Sequence, residues 1–495
     1  MEERKEKMIV IFPYMAQGHI IPFLSLALQI EKKGYQITFV NTPLNIKNLK
    51  QSLPLNSSIR LLEIPFNSSD HRLPPETENT DSIPFSLTLT LLEASVSLKP
   101  AFRNLISDLV RGGAPPLAVI ADIFFGWTAE VAHEFGIFHT IFSSTGGFGM
   151  ACYYSVWMNL PHNYTDSVEF TLPDFPEAGL IHRTQLSANV LAADGTDPSS
   201  KIIQLLLSSW VDSDGILFNT IEEIDKIGLY YFRRKLSLPV WPIGPILLSV
   251  DSRARSNKVC GISSESCINW LDSKPQNSVL YISFGSQHTI SASQMMQLAK
   301  ALDSIDINFI WVVRPPLGFD MNLEFDAVEW LPEGFLKRIE EQNRGLIIVK
   351  WAPQVEILLH KAVAAFLSHC GWNSVLESIS AGVPLIGWPM GAEQFYNVKY
   401  LEEEVGVCME VARGTNFEVR NEDIVKKIGI VMGENGKGKE IREKACEVKK
   451  MIENGGRDEE GYKGSSVRAM EEFLNVAAFF GKEKKVRGQK CRMNT

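Results

Sequence analysis

Short, unbroken apolar runs alternate along this chain with longer segments whose apolar residues recur at helical spacing. The first run covers 8–14. A turn containing Gly18 and His19 follows, then a helical pattern through Leu24, Leu26, Leu28 and Ile30. Gly34 stops that pattern before a second run at 35–40. Further runs lie at 117–121, ending at Asp122, and at 140–142, leading into Ser143, Ser144, Thr145 and Gly146. A second series begins near 278, with runs at 279–284, 309–313, 346–349, 364–367 and 383–386. Runs that do not alternate with polar residues predict strands buried on both faces, and helices between them predict parallel pairing. The Pro- and Gly-bearing stretch 240–245, and the polar residues after it to about 258, read as a linker. The pattern therefore predicts two doubly wound α/β domains in tandem. The expected boundaries are 1–245 for the first domain, 246–262 for the linker and 263–460 for the second, with a basic tail at 481–495. Ligands of such sheets bind at the carboxyl ends of the strands, so the cleft between the domains suits a two-substrate reaction.

Composition narrows the partners. Of 495 residues, 45% are hydrophobic and 22% charged, enough apolar surface for sizeable cores. The net charge of −9 argues against nucleic acid, which needs a basic face. The seven cysteines form no CxxC pair, which points to reduced thiols in the cytosol and not to a disulfide framework or a zinc site. The opening is too charged for a secretory signal, and no apolar run reaches the ~20 residues that span a bilayer.

The candidate chemistry sits in the turns. His369, Cys370, Gly371, Trp372, Asn373 and Ser374 fill the turn after the run at 364–367, and a helical pattern follows. A helix N-terminus there would offer free N–H groups to an anion, with His369 as a further donor. Ser374 and Glu377 also fit S-x-x-E, a helix capping box, so capping is the competing reading. Ser283, Phe284, Gly285 and Ser286 form a second turn of the kind that accepts phosphate. His19 and Asp122 each end a strand of the first series, and a carboxylate fixing one ring nitrogen would free the other as a base; a structural histidine is the alternative. Asp212 and Asp214 make an isolated D-x-D that could hold Mg²⁺ or Mn²⁺.

One window adds a resemblance. Residues 351–394 read "WAPQVEILLHKAVAAFLSHCGWNSVLESISAGVPLIGWPMGAEQ" and resemble, nearly position for position, the signature box of plant secondary-product UDP-glycosyltransferases. "SVLYISFGS" at 278–286, "CINWLDSKP" at 267–275, "WPIGP" at 241–245 and the Gly18–His19 turn agree with it. The resemblance implies the two-domain GT-B fold, with donor in the second domain and acceptor in the first. It also implies a final helix, 461–480, crossing back to the first domain. Trp351 would stack on uracil, with Ala352 and Gln354 meeting the base. Glu377 would hold the ribose, and His369, Asn373, Ser374 and Ser286 the diphosphate. Trp372, Glu393 and Gln394 would face the sugar, and Ser144 would contact the donor. His19 would be the general base and Asp122 its partner. One departure is that the position of Glu393 is commonly Asp. Gln394 resembles glucose users, and His at that position is associated with galactose.

The expected enzyme is a monomeric, cytosolic, inverting O-glycosyltransferase. It would move glucose from UDP-glucose, a co-substrate, to a small apolar acceptor hydroxyl such as that of a flavonoid, with no metal or other cofactor. Tyr14, Phe124, Phe125, Phe148, Tyr153 and Tyr154 are the candidate acceptor lining, with core packing as the alternative. A nucleotide-sugar epimerase and a non-catalytic UDP-sugar-binding protein are the rival readings.

Overall fold

A computed structural model describes residues 7–247, 261–319, 323–415 and 417–493, except the side chains of Phe85 and of 481–493. Most of the expected linker (248–260, with Cys260) and the side chains of the basic tail, that of Cys491 among them, lie outside what is described.

The first sheet contains β1 (Met8–Phe12), β2 (Gln36–Asn41), β3 (Arg60–Glu63), β4 (Ala118–Asp122) and β5 (Phe138–Ser143). After a small hairpin, β6 (Glu169–Thr171) with β7 (Leu180–His182), the sheet is completed by β8 (Ile216–Phe218) and β9 (Val240–Pro242). The order is β3-β2-β1-β4-β5-β8-β9, and every pairing is parallel. The second sheet contains β10 (Val279–Ser283), β11 (Asn308–Val313), β12 (Gly345–Val349), β13 (Val363–Ser368), β14 (Leu385–Gly387) and β15 (Cys408–Glu410), in the order β12-β11-β10-β13-β14-β15, again parallel. A two-residue hairpin, β16 (Asp458–Glu459) with β17 (Tyr462–Lys463), precedes the last helix. The continuous apolar runs β1, β4, β5, β10 and β13 are buried along their whole length, as parallel strands covered on both faces must be.

These orders fix where chemistry can occur. The first sheet reverses direction between β1 and β4, the second between β10 and β13. At such a switch point the connections diverge to opposite faces and leave a crevice at the carboxyl ends. His19 follows β1 and Asp122 ends β4; Ser286 follows β10 and His369 follows β13.

Part of the stretch read as linker belongs to the first sheet. Val240–Pro242 is its edge strand, where a proline at the end costs no ladder bond. The helix Ser465–Met493 runs back over that edge. Phe473 lies 5.6 Å from Trp241 and 6.3 Å from Phe138, ring to ring, and the Ser466 hydroxyl donates to the Gly244 carbonyl. An edge covered by a helix has no unpaired strand to offer another chain.

Candidate active site

β1 runs into a turn, and the helix Gln17–Lys32 starts with His19 in its first turn. Asp122, at the carboxyl end of β4, is fully buried. His19 Nδ1 lies 2.8 Å from Asp122 Oδ2. The same Oδ2 accepts the Tyr14 N–H at 3.1 Å, and Oδ1 accepts the Phe124 N–H at 3.1 Å. The carboxylate is thus oriented by backbone and assigns the proton to Nδ1, which leaves Nε2 as the basic nitrogen. Burial alone would lower the proton affinity of His19. The Asp122 charge and hydrogen bond, helped by Glu393, outweigh it and lift His19 above the ordinary histidine range.

Of the aromatic residues named as acceptor lining, Tyr14 and Phe124 meet His19, at 5.6 and 5.5 Å between rings. Tyr153 feels the Glu393 charge, and burial first, then that charge, keeps its phenol un-ionised. The other three are packing residues. Phe125 sits against Phe12 and Trp127, Tyr154 against Trp210 and Phe232, and Phe148 stacks on Tyr400 at 4.4 Å.

Across the cleft, β13 leads through His369, Cys370 and Gly371 into the helix Trp372–Ala381. Its N-cap is Gly371, with no side-chain cap, so the first-turn N–H groups stay available to a ligand. This overturns the capping-box reading. Ser374 lies inside the first turn, and the Glu377 carboxylate accepts from Gln354 Nε2 at 2.7 Å. Gln354 Nε2 also lies 3.1 Å from Ser374 Oγ, and its Oε1 accepts the Tyr281 hydroxyl at 3.1 Å. Tyr281 was not singled out from the sequence, because a tyrosine inside a buried strand reads as core.

His369 is clamped by glycines. A Cβ on Gly285 would lie 2.6 Å from its Nε2, and one on Gly371 2.5 Å. The two phosphate-type turns therefore close on one imidazole. Burial, then the charges of His288 and Arg314, push His369 down to about 3, so it is neutral and donates one N–H. Its Nδ1 is buried without a partner. Ser286 lies on the Gly285 turn, and its carbonyl is held by Arg314. Trp351 and Ala352 follow β12 on the same carboxyl rim, half-buried and buried respectively.

The residues expected at the sugar divide. Glu393 is half-buried, ends the turn before the helix Gln394–Tyr400, and accepts weakly from Asn397 Nδ2 at 3.5 Å. Burial raises its carboxyl above the ordinary range, offset in part by its own backbone N–H and then by the charge of His19. Gln394 Oε1 already accepts the Met390 and Gly391 N–H groups, at 2.9 and 3.1 Å, so its amide nitrogen is the group left for a sugar. Trp372 departs from the expected role. Its indole is 3% exposed, donates to the Asn219 carbonyl at 2.7 Å, and packs where Gly146 leaves no room for a Cβ. Asn373 Nδ2 donates to the Gly18 carbonyl at 2.9 Å, which ties the cradle to the residue before His19. Ser144 is buried at the carboxyl end of β5, in a turn whose following N–H groups, Gly147 and Phe148, are held by the Asp225 carboxylate.

Asp212 and Asp214 lie outside this cleft. They precede β8, at the amino end of the sheet, and Asp214 accepts the His139 N–H at 2.8 Å and meets His133 Nε2 at 2.9 Å. Among the described residues no group of three or more His, Cys, Asp or Glu is placed to hold a metal ion. No described helix is long and apolar enough to cross a membrane.

The family model described as "UDP-glucoronosyl and UDP-glucosyl transferase" matches residues 240–435. UDP-glycosyltransferase 92A1 of Arabidopsis thaliana is 51% identical over 477 residues, covering 95% of this chain and 96% of that protein. Crocetin glucosyltransferase 3 of Crocus sativus is 43% identical, covering 94% of this chain and 98% of that protein. The crystal structure of Glycyrrhiza uralensis UGT73P12, complexed with glycyrrhetinic acid 3-O-monoglucuronide, matches with a TM-score of 0.83 at 27% identity, covering 99% of each chain. The two-domain fold is GT-B, and the chain belongs to the plant UDP-glycosyltransferase family, as one of its enzymes.

Proposed function

We propose that this enzyme transfers glucose from UDP-glucose to a phenolic hydroxyl of a small plant metabolite such as a flavonoid, with inversion, as a monomer in the cytosol. One observation carries the reading: the His19–Asp122 pair adjoins the uncapped helix that starts at Trp372, whose Asn373 donates to the Gly18 carbonyl at 2.9 Å. A phenol has a pKa near ~10 and is mostly un-ionised at neutral pH. His19 Nε2 accepts its proton as the oxygen attacks the anomeric carbon. Asp122 holds the ring and stabilises the imidazolium, the orienting logic of the serine-protease triad. The bond from the anomeric carbon to the UDP oxygen breaks on the opposite face. The charge left on UDP meets the first-turn N–H groups and His369. Trp351 offers uracil a stacking face, and Glu377, oriented by Gln354, offers the ribose a carboxylate for two hydroxyls. Glu393 and the Gln394 amide take the sugar hydroxyls, and the relative named as a glucosyltransferase supports glucose. Tyr14 and Phe124 give the acceptor ring an apolar wall beside the base. No step requires a metal ion.

The test is mass spectrometry of purified protein with UDP-glucose and other UDP-sugars against a panel of plant hydroxyl compounds, with and without a chelator. The expected result is a hexosylated phenol and matching UDP, released only when acceptor is present and unchanged by chelation. Consumption of UDP-sugar without acceptor, or a requirement for metal, contradicts the reading.

A further inference from the structure

Arg314 was not singled out from the sequence, yet it directly follows β11 on the rim that carries Ser286, Trp351 and His369. Its guanidinium donates through Nη1 to the Ser286 carbonyl and through Nη2 to the Lys350 carbonyl at 3.4 Å. It therefore bridges the turn proposed for the diphosphate and the turn that presents Trp351 to the base. Arg314, Gly285 and His288 also line one cavity of about 10 Å³, at the turn whose glycine clamps His369. The guanidinium's field reaches that imidazole and contributes to holding it neutral. Arg314 itself is half-buried, and desolvation lowers its proton affinity, with the charge of Asp81 in the first domain acting against that.

Among the described residues Arg314 forms no ion pair, unlike Arg338 and Arg344, which share Asp303 on the same domain. A partly desolvated cation whose hydrogen bonds go to carbonyls, and whose burial Asp81 offsets only in part, is stabilised further when another anion comes near. The anion this cleft is shaped to receive is a diphosphate.

We infer that Arg314 is a positioning residue of the donor site: it fixes the Ser286 and Trp351 turns and supplies positive charge to the diphosphate and to departing UDP. This rests on the UDP-sugar reading above. A mere strut would matter equally to every ligand that touches those turns, whereas a charge distinguishes a diphosphate from a neutral nucleoside. The experiment is calorimetric titration of the full chain with UDP and with uridine, at low and at raised salt, for wild type, Arg314→Met and Arg314→Lys. Loss of a unit charge several ångström from a diphosphate is worth about tenfold or more in affinity at an effective dielectric near 20. Arg314→Met should weaken UDP by that factor, most at low salt, and weaken uridine, which senses only the Trp351 turn, by clearly less and independently of salt. Arg314→Lys should recover most of the UDP affinity. Uridine binding also reports that the variants are folded. Equal losses for UDP and uridine, or no loss for either, overturn the inference and leave the donor reading standing. Wild-type protein that binds neither ligand removes both.

Discussion

His19 is held between opposing effects. Burial favours its neutral form, and Asp122, at 2.8 Å, favours the charged one and prevails. A base must be unprotonated to act, so activity is lost as pH falls through the His19 pKa, which stands above the ordinary ~6.5. The acidic limb of the kcat/KM profile should therefore lie above that value. In Asp122→Asn the burial effect remains and the opposing charge is gone, so the limb should move to lower pH while the plateau drops. A limb that stays in place would separate the profile from this pair. Donor choice is set nearby. With Gln394 Oε1 committed to two backbone N–H groups, its amide is a fixed donor. A site of such fixed polar groups rejects an epimer that leaves one unpaired. Wild type should prefer UDP-glucose to UDP-galactose, and Gln394→His should narrow or reverse the kcat/KM ratio. Indifference of the ratio would remove Gln394 from the sugar. His19 and Asp122 were legible as residues because one follows a buried strand in the next turn and the other ends one. The Trp372 indole contact was not legible because its partner, the Asn219 carbonyl, belongs to the other domain and leaves no mark near it in sequence.

At the scale of elements, the site depends on two turns closing on His369. Gly285 has φ +79, so any side chain there is strained whatever the space. Gly371 is the cleaner probe, because its φ of −60 suits any residue and only the 2.5 Å approach to His369 Nε2 forbids a Cβ. Gly371→Ala should displace the imidazole and weaken UDP by about tenfold, the worth of a hydrogen bond to a charged group, with uridine little affected. Calorimetry with both ligands checks it, and unchanged UDP affinity would show that the clamp does not matter. The strands legible in sequence were the long apolar ones. Those missed are short or peripheral. β3 at Arg60–Glu63 is an edge strand with no fully buried residue, β8 and β15 have three residues each, and β9 hides in a Trp-Pro stretch that reads as a linker. Short strands carry too little pattern to register, and their membership is decided by neighbours distant in sequence.

For the whole molecule, the seam between the domains includes residues of the candidate site. Trp372 reaches Asn219, Asn373 reaches Gly18, Gln287 Nε2 donates to Thr80 Oγ1, and the Tyr400 hydroxyl donates to the Ile224 carbonyl. Holding the domains together and building the cleft are thus one task. Trp372→Phe keeps a ring against Gly146 but leaves the Asn219 carbonyl unpaired in a buried place, which costs about 1–3 kcal/mol. The urea midpoint should fall accordingly, and an unchanged midpoint would mean that the carbonyl finds another donor. The central claim is that His19 acts on the acceptor and takes no part in holding the nucleotide. The most direct measurement is His19→Ala, with kcat on a phenolic acceptor and the UDP Kd determined on one preparation. Removal of a general base should lower kcat by about 10²–10⁴, with the Kd for UDP unchanged. Near-normal turnover, or loss of UDP binding in step with turnover, would contradict the account.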